Sequence, residues 1–350
     1  MGATDFNPPQ PPPPAPPAAN GLPTRRPSQD VEAARKGKKC LCGAVCYVYS
    51  LRSKSWVTTE CNVEIPTPLA ALGKGGMRVC YEVDEIDEEG NHTACIAKFF
   101  QRNISDVVEK DYFSEAEAQC LCEEFANNFN QAPFNGSDRP RISFLQCRVV
   151  LIRARDIPEE YKKTKHGFFS YRTKDTGEVM FVMEPKLRGH FTKYNSNYGE
   201  AYADDKHYTT PSQISQRTYM FEAAEAFSHF TLVESGGSML VCDLQGVQDF
   251  LTDPQIHSED GRGLGLGNMG REGIERFVQR HNCNGICAAL GMKPLFGLRP
   301  QADRESLQKN FYVLLRAQLQ EDQVPQSKPV AEMTEEEQLQ YAIRVSQVSY

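Results

Sequence analysis

Apolar and polar positions change their period partway along the chain. From about Cys40 to Glu184 the texture is strand-like. Arg78 to Val83 and Thr93 to Phe100 are rich in β-formers, and Ile142 to Ala154 and Val179 to Glu184 are short apolar runs bounded by breakers. One helical segment interrupts them, beginning at Ser114: a Ser N-cap, Glu117 three residues on, then an apolar stripe to Ala126. A curled antiparallel sheet with one helix packed on it is expected here. After Pro185 helices take over, from Pro211 to about Phe227, from Arg271 to Leu290 with Gly291 as the stop, and from Gln301 to about Leu319. Short strands such as Ser238 to Asp243 lie between the first two. The expected fold class is α+β, two lobes with a cleft, hinged near Met183–Gly189.

The flanks differ from this core. Residues 8–27 hold ten of the 22 prolines, which cannot donate backbone hydrogen bonds, so residues 1–35 are expected to be an extended, solvated tail. That tail is either a plain spacer or a ligand for an SH3- or WW-type groove. A domain is expected over 36–298, its first lobe ending near 184, followed by a helix and linker over 299–333 and an acidic-capped helix over 334–348.

Composition narrows the function classes. No apolar run approaches the roughly 18 residues of a membrane helix, and no signal-peptide layout opens the chain. Met1-Gly2 resembles a myristoylation start, but Phe6 stands where Ser or Thr is wanted. A cytoplasmic protein is expected, and with it reduced thiols at the twelve cysteines. The net charge of −7 argues against nucleic-acid binding, and Lys36-Gly-Lys38-Lys39 reads as a solvated flank.

Within 226–287 lie residues suited to three different jobs. Cys283 and Cys287 are four apart, one helical face, with His281 just before them and His229 the best fourth donor for zinc. The alternative is core cysteines beside a surface histidine. Asp243 and Gln245, at a strand end, are expected to point the same way, with Asp253 following. Two carboxylates and an amide are hard oxygen ligands suited to Mg²⁺ carrying nucleotide phosphates, or else turn and cap residues. Gly265-x-Gly267-x-x-Gly270 follows a polar loop rather than a strand, so a dinucleotide fold is rejected. In the first half, Lys98 sits on an alternating strand and, if buried, needs an anion. Cys40, Cys42 and Cys46 with a remote Cys61 are a second candidate metal cluster or simply buried thiols, and Cys120 and Cys122 are expected to pack.

Together these residues resemble the alpha-kinase family, the atypical protein kinases of the myosin heavy chain kinase and elongation-factor kinase type. The likeness runs from about Gly73 to Gly291 and is carried by Gly-Gly-Met-Arg78, Ile-Ala-Lys98-Phe, Lys193-Tyr-Asn-Ser-Asn197, Ala-Phe-Ser-His229-Phe, Asp243-Leu-Gln-Gly-Val, Leu-Thr-Asp253-Pro-Gln-Ile-His, the Gly265 loop and His281-x-Cys-Asn-x-x-Cys287. The resemblance implies a two-lobed kinase fold with a zinc-stabilised second lobe. It implies ATP phosphates on Arg78 and Lys98, Glu184 on the adenine side, Asp243 as the catalytic aspartate, and Mg²⁺ on Gln245 and Asp253. It further implies zinc on His229, His281, Cys283 and Cys287, and a protein substrate against Gly265, Gly267 and Gly270. Arg188 departs from the acidic residue usual before the hinge glycine. The last helix resembles a ubiquitin-interacting motif, with Leu339, Ala342, Ile343 and Ser346 on one narrow face. The expected function is therefore an ATP-dependent serine/threonine protein kinase; the alternative is an inactive kinase fold acting as a ubiquitin-binding adaptor.

Overall fold

A computed structural model describes residues 38–67, 70–104, 107–200 and 210–295, together with 315, 316 and 319. The proline-rich tail, most of the helix expected after Gln301, and the ubiquitin-motif residues Leu339, Ala342, Ile343 and Ser346 lie outside the described residues.

Seven strands build the first lobe: β1 (Lys38–Ser50), β2 (Ser55–Thr67), β3 (Gly73–Lys74), β4 (Arg78–Ile86), β5 (His92–Phe100), β7 (Arg148–Ile152) and β8 (Val179–Pro185). Their order is β2-β1-β7-β8-β5-β4-β3, all antiparallel, and β2 pairs a second time with β4 through Asn62–Glu64. The sheet therefore curls until its ends meet. Alternation fills its interior: Val79, Tyr81 and Val83 of β4 and Cys95, Ala97 and Phe99 of β5 join Phe168 and Phe181 in one buried cluster. Lys98, between Ala97 and Phe99, consequently faces the opposite side of the sheet.

That opposite side receives α1 (Glu109–Gln131), which starts five residues before the expected Ser114 cap. Its cap is Val108, whose N–H donates to the Asp111 carboxylate at 2.8 Å. Asp111 does what Glu117 was expected to do, one and a half turns earlier. The first half of α1 packs Phe113 edge-on against Tyr47 and Trp56 of the β1–β2 hairpin. The second half, Phe125 to Phe129, enters the core of the other lobe with Phe227 and Phe230. The lobes are thus not consecutive in sequence: this helix and β6 (Ser143–Phe144) precede residue 184 but pack with the second lobe.

The second lobe contains α2 (Pro211–Glu234), β9 (Thr192–Lys193), β10 (Met239–Cys242), β11 (Gln245–Val247), β12 (Phe250–Thr252), β13 (Gln255–Ser258), α3 (Gly270–Arg280) and α4 (Gly285–Ala289). Pro211 sits at the first helical turn of α2 behind a Thr210–Gln213 capping box, and the helix runs seven residues past Phe227, so His229 lies inside it rather than at its end. The single helix expected over Arg271–Leu290 is two, because His281 to Asn284 leave the helical path and Asn284 caps α4.

The thiols are not all reduced. Cys46 and Cys61 form a disulfide across the hairpin, where the register sets Cys61 opposite Ala44 and leaves the two Cα atoms 6.3 Å apart. This overturns both the expectation of free cysteines throughout and the Cys40–Cys42–Cys46–Cys61 metal cluster. Cys40 and Cys42 are buried with their sulfurs 3.5 Å apart.

Candidate active site and metal centre

Lys98 is 3% exposed, so its charge must be matched. Its Nζ lies 2.5 Å from Glu184 Oε1 and 3.0 Å from Asp253 Oδ2, and donates to Thr252 Oγ1 at 2.7 Å. Thr252 passes a hydrogen on to Glu184 Oε2 at 2.6 Å. Burial pulls the Lys98 pKa down, but Asp253 and Glu184 outweigh it and the net direction is up. Arg78 donates to Asp253 Oδ1 at 2.8 Å and pairs with Glu115 of α1. Burial would raise the Asp253 carboxyl; Lys98 and Arg78 win and hold it below the ordinary range.

Asp243 lies 2.6 Å from Lys193 Nζ, one strand away. Here burial wins over Lys193, and the carboxyl is raised above the ordinary value. Asp243 does not end a strand as expected. β10 stops at Cys242, and Asp243 takes φ +58°, a left-handed turn that redirects the chain into β11. This turn, rather than strand alternation, brings Gln245 Nε2 within 3.4 Å of Asp243 Oδ2. Asn195, fully buried, holds the turn from behind: its Oδ1 accepts from the Leu244 N–H at 2.9 Å.

The two aspartates face one cleft of about 450 Å³. Its walls include Gly75, Gly76 and Arg78 on one side and Lys193, Asn197, Gln245 and Asp253 on the other. Leu266, Gly267 and Met269 close its mouth. The glycines there are required by close approach: a Cβ on Gly267 would sit 2.1 Å from the Gln255 side chain, and Gly265 adopts φ +91° against the Glu115 carboxylate. Glu115 also accepts from the Leu266 N–H at 3.1 Å, so one carboxylate on α1 ties the loop to Arg78. His257 anchors the far end. Its Nδ1 accepts from the Met269 N–H at 3.0 Å, so its Nε2 carries the hydrogen donated to the Asn197 carbonyl at 2.7 Å.

The four expected zinc donors converge. His229, His281, Cys283 and Cys287 offer donor atoms all within 4.8 Å of one another. Cys283 Sγ lies 3.6 Å from His229 Nδ1 and Cys287 Sγ 3.7 Å from His281 Nε2. Those spacings fit the roughly 3.6 Å between N and S corners of a zinc tetrahedron with bonds of about 2.0–2.3 Å. Cys283 lies before α4 rather than on a shared helical face with Cys287; the Asn284 cap makes the turn that joins them. A hydrogen bond from the Cys287 thiol, together with both imidazoles, lowers the Cys283 pKa. Glu225, one turn before His229, meets His281 Nδ1 at 3.3 Å and leaves Nε2 for the cluster.

The chain is similar in sequence and fold to known proteins. The model for the alpha-kinase family fits residues 73–287, more than half the chain. The chain belongs to the alpha-kinase family. Alpha-protein kinase 1 of Dictyostelium discoideum is 34% identical over 68% of this chain, but that stretch is 14% of the relative's length. Human eukaryotic elongation factor 2 kinase is 27% identical over 77% of this chain and 32% of its own length. The chain thus matches less than a third of these relatives. Among solved structures, the kinase domain of myosin heavy chain kinase A in complex with AMP aligns with a TM-score of 0.57 at 24% identity, covering 73% of this chain and all of that domain. Its ADP complex aligns with a TM-score of 0.56 at 25% identity, over 72% and 97% of the two chains.

Within this alpha-kinase domain, Arg78, Asp243, Gln245, Asp253 and Gly267 line one cleft, and Lys98 pairs with Asp253. Glu184, which the resemblance sets on the adenine side, has its carboxylate on Lys98 and Thr252. Arg188 is exposed and stands off the cleft. Sequence reasoning assigned no role to Glu115, Gln119, Lys193, Asn195, Glu225, Thr252 or His257. Glu225 offered one signal, a carboxylate four residues before a histidine donor on a helix. Lys193, Asn195, Thr252 and His257 stand within the quoted motifs, whereas Glu115 and Gln119 reach across from α1 and left none.

Proposed function

We propose that this chain is an ATP-dependent protein kinase that transfers the γ-phosphate to serine or threonine hydroxyls of protein substrates. The observation carrying this reading is the opposed charge setting of two aspartates on one cleft. Asp253 is held below the ordinary carboxylate range by Lys98 and Arg78, whereas burial raises Asp243 above it. Lys98 and Arg78 would receive phosphate oxygens, and Gln245 with Asp253 would hold Mg²⁺, which would neutralise phosphate charge. Gln245 must then present Oε1, a flip about its last side-chain torsion. Asp243 would accept a hydrogen bond from the acceptor hydroxyl and orient it, with the glycine loop bearing on the substrate backbone. Positioning and charge neutralisation carry most of such a reaction. The test is transfer of labelled phosphate from ATP to a mixed protein substrate, followed by phosphoamino-acid analysis. Label on serine or threonine supports the reading, and no label with an intact, nucleotide-binding protein favours the adaptor.

A pH measurement tests the Asp243 assignment. Orientation needs the carboxylate, so kcat/KM should fall as pH drops through a pKa above the usual aspartate range. Lys193 lowers that pKa, so Lys193→Met should move the acid limb to higher pH. A limb that stays in place would remove Lys193 from the Asp243 environment.

The same reading assigns structural zinc to His229, His281, Cys283 and Cys287, recruitment to ubiquitinated proteins to the C-terminal segment, and a cytoplasmic setting. No described helix is long and apolar enough to cross a membrane. Deleting residues 331–350 should abolish retention on ubiquitin-coated resin while leaving phosphate transfer intact. Unchanged retention would remove ubiquitin from the proposal.

A further inference from the structure

α1 carries a buried amide that the catalytic scheme does not use. Gln119 is 5% exposed and lies one turn beyond Glu115. Its Oε1 accepts from the backbone N–H of Asp253 at 3.2 Å. Its Nε2 donates to the Leu145 carbonyl at 2.7 Å and toward Glu184 Oε2 at 3.3 Å. The orientation of the amide is unambiguous, since one end meets a donor and the other meets two acceptors.

The three partners come from three parts of the fold. Glu184 lies near the end of β8 and holds Lys98, Leu145 follows β6, and Asp253 follows β12 in the second lobe. Asp253 also has φ +51°, a left-handed conformation that a non-glycine residue keeps only when its surroundings impose it. Proline at 254 stiffens the next residue but makes no bond to the Asp253 N–H. Gln119 makes that bond.

We propose that Gln119 is a positioning residue: it holds the Asp253 backbone in its left-handed turn, and so aims the carboxylate at the cation and phosphate position while keeping the Lys98–Glu184 pair in register. The position of α1 then sets the geometry of the magnesium site. Phe113, seated on Tyr47 and Trp56, fixes the same helix nearly two turns earlier. This inference rests on the reading of Asp253 as a magnesium ligand.

Two substitutions separate the amide's roles. Gln119→Met keeps length and volume and loses every hydrogen bond. Gln119→Glu keeps an acceptor for the Asp253 N–H and, protonated by burial against Glu184 and the Leu145 carbonyl, keeps one donor of two. Phosphate transfer is measured against Mg²⁺ concentration and against protein substrate, beside thermal melting of each protein. Gln119→Met should need at least fivefold more Mg²⁺ for half-maximal rate and lose about tenfold in kcat, with KM for the protein substrate within twofold. Gln119→Glu should keep its Mg²⁺ requirement within twofold of wild type even if it melts lower. A wild-type Mg²⁺ requirement in Gln119→Met, an equal shift in both variants, or a Gln119→Met protein that fails to fold each overturns the proposal. If wild type itself shows no Mg²⁺ dependence, the reading of Asp253 fails first and is recognised as such.

Discussion

Asp243→Ala is expected to reduce phosphate transfer by at least about 10³-fold, the scale seen when a residue that orients a reacting group is removed. The loss should fall on kcat, because in the proposed reading Asp243 orients the acceptor hydroxyl while Lys98, Arg78 and Asp253, paired with one another, hold the nucleotide. ATP affinity should therefore stay within a few-fold of wild type. The fold should also survive. Asp243 is raised in pKa by burial, so removing its carboxyl relieves a desolvation cost, and Lys193 at 38% exposure is solvated without it. The check is single-turnover phosphate transfer beside nucleotide binding and melting on the same preparation. Equal incorporation by both proteins sinks the assignment of Asp243, and equal loss of ATP binding would move the residue to the nucleotide side.

Cys287→Ser should abolish metal content and unfold the second lobe. Cys287 is fully buried in the core that joins α1, α2 and α4, and its sulfur closes the donor set. Structural zinc contributes apparent folding free energies of about 10–16 kcal/mol at neutral pH in small metal domains. Whole domains are stable by about 5–15 kcal/mol, so losing even part of the metal contribution exceeds what a domain holds in reserve. Less than about 0.1 zinc per chain and a melting point lowered by more than about 10 °C are expected. Cys122→Ser is the control, since Cys122 is buried in the same core but lies outside the donor set. Cys122→Ser should keep its zinc. A Cys287→Ser protein with full metal content and unchanged melting refutes the site. The link from His281 through Glu225 to Asn195, whose Nδ2 donates to Glu225 Oε1 at 3.1 Å, predicts that metal loss also disorders the turn at Asp243.

Several features were legible residue by residue. Strand alternation at 93–100 marked Lys98 as the odd member of a buried strand, and the need for an anion followed from its burial. Donor type and spacing singled out Cys283, Cys287, His281 and His229. Other features were not legible, for identifiable reasons. Ser114 and Glu117 have a helix-start pattern, yet Phe113 gains so much by packing on Tyr47 and Trp56 that α1 begins earlier. Strand periodicity implied that Asp243 and Gln245 share a side; they do, but through a left-handed turn that no periodicity encodes. The Cys46–Cys61 disulfide depended on hairpin register, which neither cysteine announces.

Residue types and local spacing were therefore enough for the α+β class and the curled sheet, because each depends on short-range pattern, while membership in the alpha-kinase family came from the resemblance of its motifs. Which group satisfies which charge was settled only by folding. Glu184 takes Lys98, Lys193 takes Asp243, and Glu115 and Gln119 reach from one helix to two loops more than 130 residues away. Buried charges and amides must find partners wherever the packed chain brings them, and that distance is long in sequence and short in space.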